Sequence, residues 1–257
     1  MYPGMGYTKI DIVQYYNRIS EYILPFMKDR PLTLQRFPDG VDNDGFYQKN
    51  AADYFPDFIE RVRIETRDGT KTQIICNSKK SLIYLINQGT LTFHIWLSKA
   101  SHLNKPDKVV FDLDPPEGAF LKVKKAARII EKFLKKQNLS PEIMLTGKSG
   151  IHLWYNVKPE MTFDDRREQV KNYVYELEHK HPELFTTEMR IAERNDKIFV
   201  DYLRNAYGQT SVCPYSLRPS SHPTVATPIS ANILQRTKKA DKYDLGNIFR
   251  RLAQVNH

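Results

Sequence analysis

Cysteine is nearly absent from the 257 residues. Cys76 and Cys213 are the only two, which excludes a disulfide framework or a Cys-rich zinc site and leaves a reducing, cytosolic setting as the expectation. No uncharged apolar run reaches the roughly 18 residues that a membrane helix needs. The opening Met-Tyr-Pro-Gly-Met-Gly has neither the basic region nor the apolar stretch of a signal peptide. Internal repeats and low-complexity linkers are missing, and the Gly-x-x-x-x-Gly-Lys-Ser/Thr spacing of a Walker loop does not occur. What the chain has in excess is positive charge, 39 Lys+Arg against 30 Asp+Glu, for a net +9. That sign favours polyanions, nucleic acid first. The 15 Tyr and 13 Phe offer rings on which bases stack, beyond those the core takes. A composition of 40% hydrophobic and 27% charged residues excludes disorder as the main state.

Helix and strand patterns alternate along the chain, which reads as mixed α/β. Thr8 and Asp11 form a capping box opening a helix whose apolar side is Ile12, Tyr16, Ile19 and Ile23, with Pro25 expected after its end. Ser81 is expected to cap a short helix that turns Leu82, Leu85 and Ile86 inward and stops at Gly89. Residues 91–97 alternate like a strand and put Thr92, His94 and Trp96 on one face. A helix over 123–136 carries the stripe Ala126, Ile129, Ile130, Phe133 and Leu134. Its basic remainder is either a phosphate-binding face or simply a solvated one. A second amphipathic helix spans 165–180. Further strands are expected at 72–76, 109–114, 142–146, 151–157 and 197–203, and a loop or edge at 214–230.

The segment Val109-Val110-Phe111-Asp112-Leu113-Asp114-Pro115-Pro116 carries the most chemistry. In a strand, Asp112 and Asp114 share a face while Phe111 and Leu113 point away. Two carboxylates so placed repel each other, and a divalent cation relieves the conflict. Hard oxygen donors favour Mg²⁺ or Mn²⁺ over zinc. The plainer alternative is two acids facing water at a sheet edge, against which the apolar Val109-Val110-Phe111 argues. Asp201 interrupts another apolar run, Ile198 to Leu203. A lone carboxylate there is costly without a partner, and a shared pair of metals would provide one. Three carboxylates on two metals is an arrangement suited to phosphoryl and nucleotidyl transfer.

Thr146-Gly147-Lys148-Ser149-Gly150-Ile151-His152 lies between two strand patterns and reads either as an anion-binding nest or as a plain hairpin turn. Thr146, Lys148, Ser149 and His152 can all donate to phosphate oxygens. Arg36 leads into the turn at Phe37-Pro38-Asp39-Gly40. Phe46 and Tyr47 stand beside Lys49, at most one of the two rings being expected in the core and the other a stacking platform. His94 by itself reads as a core histidine, and Arg218, following a strand, could reach a triphosphate.

In order along the chain, these segments resemble the primase-polymerase domain of the bacterial DNA ligase D family, in the archaeo-eukaryotic primase superfamily. The matching landmarks include Gly6-Tyr7-Thr8-Lys9, Arg30 to Gly40, Gly45 to Lys49, His94-Ile95-Trp96, Phe111 to Pro115, Thr146 to His152, Phe199 to Asn205, and Pro214 to Arg218. The resemblance implies an RRM-like catalytic sheet. It also implies a single domain over 1–257, with an N-terminal lobe of about 1–90 and a catalytic lobe of about 91–257. It implies that Asp112, Asp114 and Asp201 are the catalytic, metal-holding acids for two Mn²⁺ or Mg²⁺ ions. It assigns His94, Tyr47, Thr146, Lys148, Ser149, His152 and Arg218 to the nucleotide. Lys9 (on a downstream 5′-phosphate), Arg36, Phe46, Lys49, Arg194 and Arg204 go to DNA.

The implied activity is template-dependent addition of NTPs or dNTPs to primers at gaps and 3′ overhangs in non-homologous end joining. The implied setting is the bacterial cytoplasm at the nucleoid. The protein would be a monomer, alongside an ATP-dependent ligase and Ku and away from membranes. The chain departs from many relatives at Gln35 and Ser149, where they carry Lys. Relatives also have a segment ahead of the Tyr2-Pro3 position that adds a second basic 5′-phosphate contact. The same acids would serve a metal-dependent nuclease, and the same surface a non-catalytic end-binding module.

Overall fold

The computed structural model describes residues 1–66 and 69–254. The last three residues of the expected 1–257 domain therefore lie outside the described residues. In chain order the strands are β1 (Pro31–Arg36), β2 (Phe46–Gln48), β3 (Glu60–Thr66), β4 (Gly69–Ile75), β5 (Thr90–Trp96), β6 (Lys108–Asp114), β7 (Glu142–Leu145), β8 (Ile151–Asn156), β9 (Phe185–Thr186), β10 (Ile198–Asp201), β11 (Thr210–Val212), β12 (Leu217–Arg218), β13 (Thr224–Val225) and β14 (Thr227–Ile229). The α-helices are α1 (Lys9–Met27), α2 (Lys79–Asn87), α3 (Phe120–Lys136), α4 (Phe163–Lys180), α5 (Ala231–Arg236) and α6 (Ile248–Ala253). Among the described residues no helix is long and apolar enough to cross a membrane. The mixed α/β architecture agrees with the sequence pattern.

The chain forms two compact units. The first comprises residues 1–103, 210–226 and 243–257, so the strand bearing His94 belongs to it. The second comprises residues 104–209 and 227–242.

The first unit is built on a sheet ordered β11-β5-β1-β4-β3, with β2 added to β1. Helix α1 opens with the full capping box: Thr8 accepts from Asp11 N–H, and the Asp11 carboxylate accepts from Thr8 N–H. It buries Ile12, Tyr15, Tyr16, Ile19, Ile23 and Met27. Pro25 lies inside α1, not after it. The carbonyl it leaves without an amide partner is that of Glu21, on an exposed turn where water can replace the lost bond. The cap of α2 is Ser78, whose hydroxyl accepts from Ser81 N–H. Ser81 itself is buried one turn in.

The second unit is a six-stranded sheet ordered β14-β7-β8-β6-β10-β9, antiparallel except for β9 on β10. Helix α3 packs on β8, β6 and β10. It buries Val123, Ala126, Ala127, Ile130, Phe133 and Leu134, starting three residues earlier than the pattern suggested, while Ile129 stays at the margin. The Pro- and Ser-rich 214–230 stretch holds three short strands, β12, β13 and β14.

Candidate active site

Strand β6 is central, flanked by β8 and β10. Its residues 109–113 are all buried, as a strand covered on both faces must be. Because side chains alternate, Asp112 and Asp114 emerge on one face. The antiparallel registers then set the site. Asp112 lies directly opposite His152 of β8 and directly opposite Asp201 of β10. Direct partners share a face with side chains about 5 Å apart, so His152, Asp112 and Asp201 form a row across three strands, with Asp114 two residues further along β6.

The row is tied by charge-assisted contacts. Asp112, 7% exposed, takes His152 Nε2 on Oδ1 at 3.0 Å and Arg204 Nε on Oδ2 at 3.2 Å. The same guanidinium reaches Asp201 Oδ2 through Nη2 at 3.3 Å. Arg204 arrives there because the chain leaves the sheet at Asp201 and folds into a 3₁₀ turn, Tyr202–Asn205. Asp201 caps that turn by accepting from Arg204 N–H. The expected strand over 197–203 is therefore shorter, ending at Asp201.

The physical reason for the early end is Asn205, only 1% exposed. Its side-chain oxygen accepts from Val110 N–H at 2.9 Å, and its amide donates to Val110 O at 2.7 Å and to Tyr202 O at 3.3 Å. In this register Val110 would otherwise pair with the backbone of residue 203. The Asn205 amide replaces that backbone, completes the edge and releases the chain. The Asp201-to-Arg204 spacing, which one 3₁₀ turn closes, is the sequence signal for this device.

Negative charge still exceeds positive at the acids. Withdrawal of its carboxyl from water and the charge of Asp112, with a further push from Asp201, raise the Asp114 pKa to about 6, against the opposing pull of His152 and Arg204. Burial raises Asp201 as well, with Arg204 opposing. A carboxyl held above its unfolded pKa weakens the fold once ionised. The penalty builds between about pH 4 and pH 6 and is full above that. Asp114 lies at the exposed end of β6, so solvent screening trims it to about 1 kcal/mol. Asp114→Asn should therefore raise the thermal stability of the metal-free protein at pH 7.5 and leave it unchanged near pH 4. Melting curves at the two pH values check this, and an equal gain at both would assign the effect to packing instead.

Beside the acids, β7 and β8 are joined by the turn 146–150. Thr146 Oγ1 donates to Gly150 O at 3.0 Å and accepts from the N–H groups of Gly150 and Lys148. The segment is thus a hairpin turn pinned by Thr146, with Lys148 and Ser149 exposed at its tip. Gly150 is required because a Cβ there would stand 2.6 Å from Leu113 O; the turn is pressed onto the acid strand. Arg194 lies over the Phe199 ring at 4.0 Å and donates to the carbonyls of Glu188 and Met189. Phe199 is the cross-strand partner of Asp114. A cavity of about 380 Å³ opens there, lined by Asp114, Pro116, Glu117, Ile191, Arg194 and Lys197.

The first unit carries a separate constellation. Strand β1 runs between β2 and β5, which brings Tyr47 edge-on to His94 at 5.8 Å. His94 is half-buried. Phe46 and Tyr47 are 47% and 60% exposed, so neither ring is in the core, within the expectation that at most one would be. Among the described residues the short β2 pairs only with β1. Arg36 is directed inward. It donates to Gln88 O at 2.9 Å through Nε and to Gln48 Oε1 at 2.6 Å, and it lies 5.3 Å from the Phe46 ring. It steadies the aromatic hairpin from beneath. Lys9 and Lys49 are exposed, and Arg218 on β12 is half-buried.

Among the described residues no three His, Cys, Asp or Glu side chains form a ready ligand set for one ion. The donor chemistry nonetheless fits a hard divalent cation: three carboxylates on one sheet face, two of them raised in pKa by burial and mutual repulsion.

Known proteins resemble the chain over nearly its whole length. The family described as "LigD, primase-polymerase domain" matches residues 8–257. The bifunctional non-homologous end joining protein LigD of Bacillus subtilis is 37% identical over 224 residues, covering 86% of this chain and 36% of that protein. The multifunctional non-homologous end joining DNA repair protein LigD of Mycobacterium tuberculosis is 33% identical over 237 residues, 89% of this chain and 31% of that protein. The chain thus spans about a third of the length of these relatives. The polymerase domain of Mycobacterium tuberculosis ligase D, solved in complex with DNA, is similar with a TM-score of 0.91 and 29% identity, over 98% of this chain and 91% of that one.

Proposed function

This chain belongs to the LigD primase-polymerase domain family, and from that premise we propose that it is a template-dependent nucleotidyltransferase extending primers at gaps and 3′ overhangs in non-homologous end joining. The observation that carries the reading is the cross-strand row of His152, Asp112 and Asp201 with Asp114 beside it.

Asp112, Asp114 and Asp201 would hold two Mn²⁺ or Mg²⁺ ions. When bound, such ions supply Lewis-acid activation of the primer 3′-hydroxyl and charge neutralisation on the leaving pyrophosphate. The protein's own groups position the reactants. His152 fixes the orientation of Asp112 through Oδ1. Lys148 and Ser149, at the tip of the pinned turn, bind triphosphate oxygens, with Thr146 shaping that turn. On the first unit, His94 and Arg218 serve the nucleotide, Tyr47 and Phe46 stack on bases, and Lys9 and Lys49 meet DNA phosphates. Arg36 acts on DNA through the hairpin it supports. Arg194 and Arg204 add positive charge near the acid strand. Positioning of this kind supplies most of the catalysis in phosphoryl transfer. We propose further that the protein works as a monomer in the bacterial cytoplasm at the nucleoid, with an ATP-dependent ligase and Ku.

Extension of a labelled gapped duplex tests the reading, with and without a downstream 5′-phosphate, with NTP or dNTP, and with Mn²⁺ or Mg²⁺. Growth of the primer only when template, nucleotide and metal are all present is expected. Shortening of the primer would mark a nuclease, and neither growth nor shortening a binding module.

A further inference from the structure

We infer that Arg204 is a tethered cation seated on carboxylate oxygens that divalent ions would take, so that loading of the acid site is an exchange of one cation for another. The inference rests on the metal-dependent reading above and adds a residue that sets how tightly the metal binds.

Three observations carry it. First, one guanidinium bridges two acids on neighbouring strands, Asp112 Oδ2 at 3.2 Å and Asp201 Oδ2 at 3.3 Å. Carboxylates that face each other across a strand pair need a counter-charge, and Arg204 is the cation that joins them. Second, the seating is built by the backbone. Asp201 caps the turn that carries Arg204, and the buried Asn205 clamps the end of that turn to Val110. The guanidinium is therefore delivered to the acids by the fold. Third, the seating is replaceable. The contacts exceed the 2.7–2.9 Å typical of tight charge-assisted bonds, and about a third of the Arg204 side chain, 32%, faces solvent.

A guanidinium has donors only and cannot itself ligate a metal ion. Its positive charge beside Asp112 Oδ2 and Asp201 Oδ2 opposes a divalent ion brought to the same oxygens, so binding favours its displacement. The free protein thereby keeps part of its acid charge compensated, and its apparent metal affinity is lowered by the strength of the pair that binding weakens. His152 holds the other oxygen of Asp112 and keeps that carboxylate oriented during the exchange.

Calorimetric titration of Mn²⁺ into the metal-free full chain, without DNA or nucleotide, tests this on wild type, Arg204→Gln, Arg204→Lys and Asp112→Asn. Arg204→Gln is expected to bind Mn²⁺ more tightly by roughly 2–5-fold, the scale of a partly screened ion pair. Its metal-free melting temperature should fall, and the difference from wild type should shrink once Mn²⁺ is bound. Arg204→Lys, which reaches one acid at a time, should tighten binding by a smaller factor and carries the test if the Gln variant does not fold. Asp112→Asn should weaken binding. Unchanged or weaker Mn²⁺ binding in both Arg204 variants would overturn the inference alone, leaving the metal site standing on the Asp112→Asn result. Wild-type protein that binds no Mn²⁺ would remove the metal reading and the inference together.

Discussion

Asp112→Asn is expected to lower nucleotide addition by at least about 10³-fold, the scale on which removing a key electrostatic group acts, while DNA affinity stays within about twofold. The substitution keeps the shape of the side chain and removes one negative charge from the middle of the row. Asp112 touches both His152 and Arg204 and lies opposite Asp201, so two neighbours in the site are oriented through it. An amide in its place presents an N–H₂ toward a group that needs an acceptor, and it supplies a weaker oxygen to a hard cation. DNA affinity would rest on phosphate contacts from a basic surface, and the exposed Lys9 and Lys49 assigned to it are untouched. Single-turnover extension of a gapped duplex, paired with fluorescence anisotropy of the same DNA, separates the two quantities. Activity within tenfold of wild type would remove Asp112 from the chemistry, and a parallel loss of DNA binding would assign it to the interface instead.

The residues of this site differ in how visible they are before folding. Asp112 and Asp114 are legible because the two-residue period of a strand needs no tertiary information. Asp201 is legible because it is the one charge in an apolar run. What cannot be read is that Asp201 lies opposite Asp112: registers between strands about ninety residues apart are set by the packing of the whole sheet. The end of β10 is hidden for a related reason. Tyr202 and Leu203 continue the apolar run, and local propensity extends the strand through them. The competing influence is a side chain, Asn205, whose bonds to Val110 exist only after β6 is in place. The Ser78 cap and the internal Pro25 are misread on a smaller scale, because a cap one turn earlier and a proline with a solvent-facing carbonyl behind it both satisfy the same local chemistry. The double exposure of Phe46 and Tyr47 follows from β2 having β1 as its partner strand, which no periodicity in three residues can convey.

Asn205 should then be the most consequential residue of the second unit that takes no part in the chemistry. Asn205→Ala removes both partners of Val110 from a site where water has little access. Each buried backbone group left unpaired costs roughly 1–3 kcal/mol, so a loss of about 3 kcal/mol is expected, or on the order of 10 °C in melting temperature for a chain of this size. Activity should fall as well, because the turn that carries Arg204 and caps on Asp201 loses its anchor. Asn205→Asp separates hydrogen bonding from volume. Its carboxylate still accepts from Val110 N–H, yet it sets an oxygen against Val110 O, where Asn205 donates. When protonated, the same group donates again. The Asp variant should therefore recover stability as pH falls from about 8 toward 5, while the Ala variant stays destabilised by a constant amount relative to wild type. Denaturant melts of both variants across that range decide it. If Asn205→Ala costs under about 1 kcal/mol, water or a shifted backbone is satisfying Val110, and the early end of β10 must be explained by the 3₁₀ turn alone.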